Sequence, residues 1–347
     1  FMDSDAGLLE AQVAVRYEEY DSGFDSTDPK IGLLYRTANE MFALRSTWGT
    51  SFRAPTLFQQ FVTDTSLNAT SDPLTSSLVF LGETATPNAD LVPEEAETFT
   101  IGGTVVPLEN LSLSLDYYDV QYTDRLSQES GQQLIVDESA ALAAAGCGAT
   151  DLADPNCAAL RNDQIVRDEL TGTPLRIFVN RFNASVAESS GLDFNLTYNW
   201  DTRFGNFLLM NDTTYILKYD LRETEDSEVI EGAGKRNEDS VLANSIPELR
   251  SNTMLGYGLG GHEANLTLRY IDSYEDAADT IDSWWVLDMQ YNYSFNVLDD
   301  HEATITLGAL NVTNEDPPVV TGATNEFGYD TKVHDPRGRM LYARLIY

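Results

Sequence analysis

Along much of the chain, apolar side chains recur at every second residue. Leu9, Ala11, Val13, Val15 and Tyr17 alternate with Glu10, Gln12, Ala14, Arg16 and Glu18, and Leu111, Leu113, Leu115 and Tyr117 alternate with Ser112, Ser114, Asp116 and Tyr118. The same period runs through Ala264–Tyr270, Trp285–Ser294 and Ala303–Ala309. Successive side chains of an extended chain point to opposite faces, so this pattern builds strands with one apolar and one polar face. Several runs reach about ten residues, the length a tilted strand needs to cross a bilayer, and no stretch approaches the ~18 apolar residues of a membrane helix. The pattern predicts strands near 8–20, 29–37, 41–52, 94–106, 111–125, 175–200, 205–219, 246–257, 263–273, 283–295, 302–312 and 338–347.

The connections between these strands fall into two groups. Tight links at Ala38-Asn39-Glu40, Pro107 to Asn110, Asp201 to Phe204, Gly258 to His262 and Asn296 to His301 alternate with longer ones near 21–28, 53–93, 126–174, 220–245, 274–282 and 313–337. A soluble sandwich has no reason to sort its loops by side, whereas outer-membrane barrels pair short periplasmic turns with long external loops. The expected fold is therefore all-β, a transmembrane antiparallel barrel sheet of about twelve strands that begins and ends on the periplasmic side. The last ten residues, Gly338 to Tyr347, place Leu341, Ala343, Leu345 and Tyr347 on one side of a final strand. Ending on an aromatic ring suits an interfacial anchor of a barrel; by itself the segment also suits an edge strand of a soluble sandwich.

Composition sharpens this picture. The 347 residues carry 17 Tyr and 15 Phe against 21 Lys and Arg, the balance of an aromatic-girdled β protein. A formal net charge of -35 argues against a nucleic-acid partner, whose phosphates demand a basic face. It fits a solvated acidic surface, or acidic loops that attract cations, basic ligands or divalent ions bridging lipopolysaccharide. The N-terminus has neither a basic segment nor an apolar core of a secretory signal, so the chain reads as mature, truncated or internal. Cys147 and Cys157, the two cysteines present, bracket a segment with Gly, Asp and Pro. They read as a loop disulfide formed in an oxidising compartment, with a metal site the weaker alternative because no His lies nearby.

Three sets of residues carry a resemblance. Gly49-Thr50-Ser51-Phe52-Arg53-Ala54-Pro55-Thr56-Leu57 is similar to the stretch that leads from an upward strand into a loop in TonB-dependent outer-membrane receptors. Asn88-Ala89-Asp90-Leu91-Val92-Pro93-Glu94-Glu95 resembles the segment that opens the next downward strand of that family. Asn311-Val312-Thr313-Asn314, Pro317-Pro318, Tyr329-Asp330 and Asp335-Pro336-Arg337-Gly338-Arg339, followed by the aromatic end, resemble its C-terminal signature. Their order and spacing span nearly the whole chain. Two positions depart from the pattern: Ala89 stands where the family commonly has Pro, and Tyr347 where it more often ends on Phe.

The resemblance implies an active importer rather than an enzyme. Ligand would be caught by external loops and a plug domain, and the TonB-ExbB-ExbD complex would pull on the plug to open a path. Family members are roughly twice this long, with a coupling motif, a plug and a 22-stranded barrel. Residues 1–347 would be the C-terminal portion of that barrel, with no counterpart here of the plug or about the first ten strands. The resemblance also implies outer-membrane lipid, lipopolysaccharide and the barrel-assembly machinery as partners, the last reading Tyr347 as part of an assembly signal. The imported nutrient stays open among siderophore, vitamin, oligosaccharide and peptide. Two other classes remain: a passive porin of about twelve strands, and a soluble β-sandwich adhesin or lectin.

Candidate contact residues follow from this topology. Phe52, Arg53, Phe58, Phe61 and Tyr274, with the acidic stretch to Asp282, lie in or beside external loops. Adjacent strand residues point opposite ways, so one indole of Trp284-Trp285 can join an aromatic girdle while the other faces the lumen or loop floor. Arg53 equally suits loop anchoring. His262, His301 and His334 have no neighbouring Cys or paired carboxylates, and no metal or catalytic role is read for them. There is no P-loop, dinucleotide fingerprint or nucleophile elbow, and no cofactor is expected. Most of the Asn-x-Ser/Thr triplets, such as those at Asn195, Asn211, Asn265 and Asn292, fall inside expected strands, where they read as polar lumen positions.

Overall fold

The computed structural model describes residues 2–4, 6–21, 23–222, 228–237, 244–276, 279–298, 301–321 and 327–347. In chain order its strands are β1 (Met2–Ser4), β2 (Gly7–Glu19), β3 (Asp25–Thr37), β4 (Phe42–Arg53), β5 (Asp64–Asp72), β6 (Ser77–Thr86), β7 (Glu94–Leu108), β8 (Leu111–Gln128), β9 (Ile165–Arg167) and β10 (Pro174–Thr202). They continue as β11 (Gly205–Arg222), β12 (Ile230–Glu231), β13 (Leu249–Leu259), β14 (His262–Ile271), β15 (Tyr274–Asp276), β16 (Asp279–Ile281), β17 (Trp284–Leu298), β18 (His301–Leu310) and β19 (Met340–Ile346). Three helices lie between them: α1 (Leu57–Phe61), α2 (Gly131–Ala144) and α3 (Pro155–Ala158).

The long strands form one antiparallel wall, β2-β3-β4-β7-β8-β10-β11-β13-β14-β17-β18-β19, each paired with the next. The barrel is not closed, since no register joins β19 to β2 among the described residues. Register turns the period-two sequence pattern into two different faces. One row crosses the wall through Leu111, Tyr198, Leu209, Leu255, Leu266, Met289, Ala309 and Leu341. A row on the other face reads Thr104, Ser114, Asn195, Asp212, Asn252 and Arg269. Among the described residues no protein layer covers the apolar face: Val13 is 72% exposed and Leu341 74%. Such a continuous band is a liability in water and the required surface in a bilayer. No helix among the described residues is long and apolar enough to cross a membrane.

Aromatic rings cluster where the apolar face meets the short-turn end. Tyr198, Trp200 and Phe207 stack at 4.8 and 5.2 Å, Tyr257 adjoins Phe207 at 5.1 Å, and Tyr347 stacks on His301 at 5.9 Å. On the polar face the Arg45 guanidinium pairs with the Asp116 carboxylate and donates to Thr104 Oγ1 at 2.7 Å. Gly102, opposite Asp116, makes that approach possible, because a Cβ there would lie 1.9 Å from Asp116 Oδ1. Asn195, Asn265 and Asn292 sit on this polar face, but Asn211 shares a face with Leu209 and Leu255. There its amide donates to Ser251 Oγ at 3.0 Å and Thr253 Oγ1 at 2.8 Å, while its carbonyl accepts from Thr213 at 2.9 Å. Asn211 is thus no lumen residue; a closed polar network lets it remain on the apolar side.

The connections are sorted as expected. The links after β3, β7, β10 and β13 are a few residues each and share one end with the chain terminus of β19; residues 299–300, within the expected Asn296 to His301 link, lie outside the described set. The opposite end carries the long connections. One differs: β3 starts at Asp25 instead of residue 29, so the link from β2 is a tight turn closed by Tyr20 N–H to the Phe24 carbonyl at 2.9 Å. Pro29 reads in the sequence as a strand start, yet the strand runs through it, paired with Val15.

Candidate functional site

Above the wall, the connections β4 to β7 and β8 to β10 fold together into a cap. The 29-residue β10 explains how: its first half pairs in parallel with β6 and antiparallel with β9, while its second half belongs to the wall. The resulting sheet, β5-β6-β10-β9, buries Leu81, Ala85, Ile165, Ile177 and Val179 against Ile135 of α2. Ser130 caps α2 by accepting from Gln133 N–H, and an alanine-rich stretch favours the helix. A second small core gathers Leu142, Leu152 and the bonded pair Cys147–Cys157, whose Cα atoms lie 5.8 Å apart.

A buried ion cluster ties these parts together. Arg167 donates through Nη1 to Asp72 Oδ2 at 2.7 Å, through Nε to Glu138 Oε2 at 2.7 Å, and through Nη1 to the Gly172 carbonyl at 2.8 Å. All three side chains are fully buried. Asp72 also accepts from Ser139 Oγ and Thr75 Oγ1, and Glu138 accepts from Asn162 N–H. Burial alone would raise the Asp72 carboxyl; hydrogen bonds from Arg167 and Thr75 outweigh it and hold the group below the usual 3.8.

Where the cap joins the wall, two of the sequence motifs meet. Arg53, at the end of β4, pairs in the ladder with Glu94 at the start of β7, and their side chains form an ion pair. Glu94 also accepts from Leu126 N–H at 2.6 Å. Asn88 donates to the Arg181 carbonyl at 2.8 Å, and Arg181 Nη1 donates to the Val62 carbonyl at 2.9 Å while its guanidinium lies 5.3 Å from the Phe58 ring. Phe52 packs against Tyr20, and Phe58 and Phe61 of α1 are 48% and 63% exposed. Phe52, Arg53 and Glu94, with Tyr122 and Arg125, line an open pocket of about 420 Å³. Arg125 pairs with Ala184 in the β8–β10 ladder, and its side chain makes no hydrogen bond or ion pair among the described residues. Glu95 shares the lining, so two carboxylates balance the two guanidiniums; Arg53 is paired with Glu94, which leaves the Arg125 guanidinium beside two aromatic rings.

At the other side of the rim the C-terminal motif folds on itself. Asn311 accepts from Glu315 N–H and donates to its carbonyl, both at 2.8 Å, and Asn314 accepts from Arg339 N–H at 2.9 Å. Asp335 takes the Arg337 guanidinium in a fork, which brings the carboxyl down to about 2. Tyr274 and Trp284 lie inside this corner, 2% and 5% exposed. Tyr274 donates to Asp330 Oδ2 at 2.8 Å, and Trp284 meets His334 edge-on at 5.3 Å, while Trp285 is 41% exposed on the apolar face. Residues 277–278 of the acidic stretch lie outside the described set.

The candidate residues therefore divide by place: Phe52, Arg53, Phe58 and Phe61 line or border an open rim, Tyr274 and Trp284 sit within a packed corner, and Tyr347 stands 72% exposed at the far end. Among the described residues no group of three or more His, Cys, Asp or Glu is arranged to hold a metal ion. Arg125 and Tyr122 go unmarked in the sequence, because one is a lone cation at the end of the expected 111–125 strand and the other reads as a strand aromatic. Arg167, Asp72 and Glu138 lie up to 95 residues apart and carry no local signal.

Comparison with known proteins adds the family. A profile described as TonB dependent receptor-like, beta-barrel, matches residues 5–314. No curated protein matches. Among solved structures, the R480A variant of the ferric enterobactin receptor of Pseudomonas aeruginosa is similar at TM-score 0.62 and 15% identity, over 97% of this chain and 43% of that one. The siderophore receptor PirA of Acinetobacter baumannii gives 0.60 and 13%, over 97% and 43%. A Serratia marcescens hemophore receptor, in complex with its hemophore and heme, gives 0.53 and 15%, over 98% and 46%. The chain spans less than half the length of these receptors.

Proposed function

The chain belongs to the TonB-dependent receptor family, within its β-barrel, and on that premise we propose that it is the C-terminal wall and part of the external vestibule of an outer-membrane importer of a scarce nutrient. The observation that carries the reading is the combination of family match and geometry: a two-faced strand wall with every long connection gathered at one end. In this reading the apolar face meets lipid, the polar face lines the path taken by ligand, and the long connections catch it. Energy comes from the TonB-ExbB-ExbD complex acting through a plug domain that the wall surrounds.

The rim pocket of Arg53, Arg125, Phe52 and Tyr122 is the proposed ligand contact: Arg53 is committed to Glu94, and the Arg125 guanidinium beside two aromatic rings can meet a planar group. The similar receptors of known structure handle iron-siderophores and heme, which supports an iron-carrying ligand; at 12–15% identity the likeness is one of fold. The test is uptake in cells expressing the whole receptor, with and without TonB. Loss of uptake on TonB deletion supports active import. Ligand-independent conductance that persists without TonB points to the passive porin reading. Arg125→Ala would weaken ligand binding about tenfold while leaving assembly in the membrane intact, which separates a contact residue from a structural one.

A further inference from the structure

His334 is buried to 4% exposure in the connection between β18 and β19, and neither of its ring nitrogens has a hydrogen-bond partner. It is held by rings from two other elements. Tyr274 of β15 stacks on it at 6.1 Å, and Trp284 of β17 meets it edge-on at 5.3 Å with an indole N–H that is itself unpartnered. Around this joint Tyr274, Ile281 and Val320 form a small core with Val333. Three elements thus meet at an imidazole that is packed as an apolar ring.

The charged groups around it are already committed. On its own connection, the Asp330 carboxylate accepts from Tyr274 Oη at 2.8 Å and Lys332 N–H at 3.0 Å, and its main-chain carbonyl accepts from the His334 main-chain N–H at 3.0 Å. Asp335 is turned to Arg337. From the hairpin come the Tyr274 phenol and Asp276, the latter paired with Arg236 at 2.9 Å. β13 contributes Arg250, whose charge opposes a second one on the imidazole. β17 presents only the indole. A protonated ring would carry two N–H donors in a dry site where Asp330, already accepting from Tyr274 and Lys332, favours the charge, Arg250 opposes it, and burial weighs most against it.

We propose that His334 is a proton-sensitive pin, which when neutral clamps the β18–β19 connection onto the β15/β16 hairpin and the head of β17, and when protonated releases them. This corner of the outer surface is then tight in neutral medium and loosens in acid. The inference rests on packing within this chain and is independent of the ligand reading. Burial is the main cause that lowers the His334 value below 6.5, with Asp330 opposing it. A depressed folded value means the neutral form stabilises the joint above 6.5, and this is lost as pH falls below 6.5 toward the lowered folded value. Asp330 is also held below its usual range, so its own contribution persists through this window and fades only in stronger acid.

The test is amide hydrogen exchange of the intact receptor in detergent between pH 7.5 and 5.5, corrected for the intrinsic pH dependence of exchange. Peptides covering Lys332–Arg337 and Tyr274–Asp276 are expected to exchange about tenfold faster at the lower pH, with cap peptides unchanged. His334→Phe keeps the ring packing and removes the proton; its exchange at these peptides stays flat. Should that variant fail to fold, carbethoxylation of the wild type decides: His334 is inert at pH 7.5 and reacts severalfold faster at pH 6, relative to exposed His262. Exchange that is flat in the wild type, or that rises equally in His334→Phe, overturns the proposal, as does a ratio of His334 to His262 carbethoxylation that is the same at both pH values.

Discussion

Leu115 and Ile135 lie twenty positions apart and face different solvents. Leu115, in the wall, is 50% exposed on the face proposed to meet the bilayer; Ile135, in the cap, is fully buried and finds its apolar surroundings in Leu81, Ile177 and Val179. Among the described residues the wall has no internal core, and a single sheet proposed to meet lipid on one face and a polar path on the other needs none. The cap stands in water and must build one, and for a patch this small it adds a disulfide and an internally compensated ion cluster. The difference is one of what each region can lose. The cap is vulnerable at its few locked side chains, whereas the wall is vulnerable wherever charge is placed on its apolar face.

The largest effect is expected at Arg167. Arg167→Met strands Asp72 and Glu138 in a dry interior, and the cap should lose about 3–5 kcal/mol of local stability. Hydrogen exchange at Ile135–Leu142 would collapse toward the unfolded rate while wall strands keep their protection. Acid acts on the same cluster: because the Asp72 value is lowered, its contribution is complete above 3.8 and is lost as pH falls through the lowered value, so the cap should loosen in strong acid before the wall does.

On the wall, Leu115→Arg should cost about 2–4 kcal/mol of membrane-folded stability, and Ser114→Arg, one residue away on the polar face, close to nothing. Urea titration of the two variants in lipid vesicles gives the difference directly; equal costs would break the assignment of faces. Removing the disulfide through Cys147→Ser and Cys157→Ser should cost about 2–3 kcal/mol, confined to the cap and visible as faster proteolysis there. The smallest effect is expected at Tyr342→Phe. Tyr342 lies over Gly308 on the polar face and donates to Gln290 Oε1 at 2.8 Å, so losing that hydroxyl should cost about 0.5–1.5 kcal/mol.

The same contrast decides how far the sequence could be read. The wall is legible because its solvent imposes a period of two over ten or more residues: an expected strand at 111–125 is found at Leu111–Gln128, and one at 283–295 at Trp284–Leu298. The cap imposes no such period. β9 has three residues, α3 has four, and α2 buries Ser139 and Glu138 beside Ile135 and Leu142, so its helical spacing is masked by polar residues. The rim motifs were legible as patterns, and the structure adds their physical reason. Arg53 with Glu94, and Asn314 with Arg339, staple the points where long connections leave and re-enter the wall. Arg125 and His334 carry no local signal, because what sets them apart is tertiary: the Arg125 side chain and the His334 ring nitrogens have no hydrogen-bond partner among the described residues.

The central claim is that one face of the wall meets lipid and the other an aqueous path. Single cysteines placed in turn at 285 to 292 of β17, in a background lacking Cys147 and Cys157, can be reacted in intact outer membranes with a charged thiol reagent. Alternation is predicted, with 288, 290 and 292 labelled, 285, 287, 289 and 291 protected until the membrane is dissolved, and 286, buried within the C-terminal corner, protected throughout. Uniform labelling along β17, or uniform protection, would contradict it.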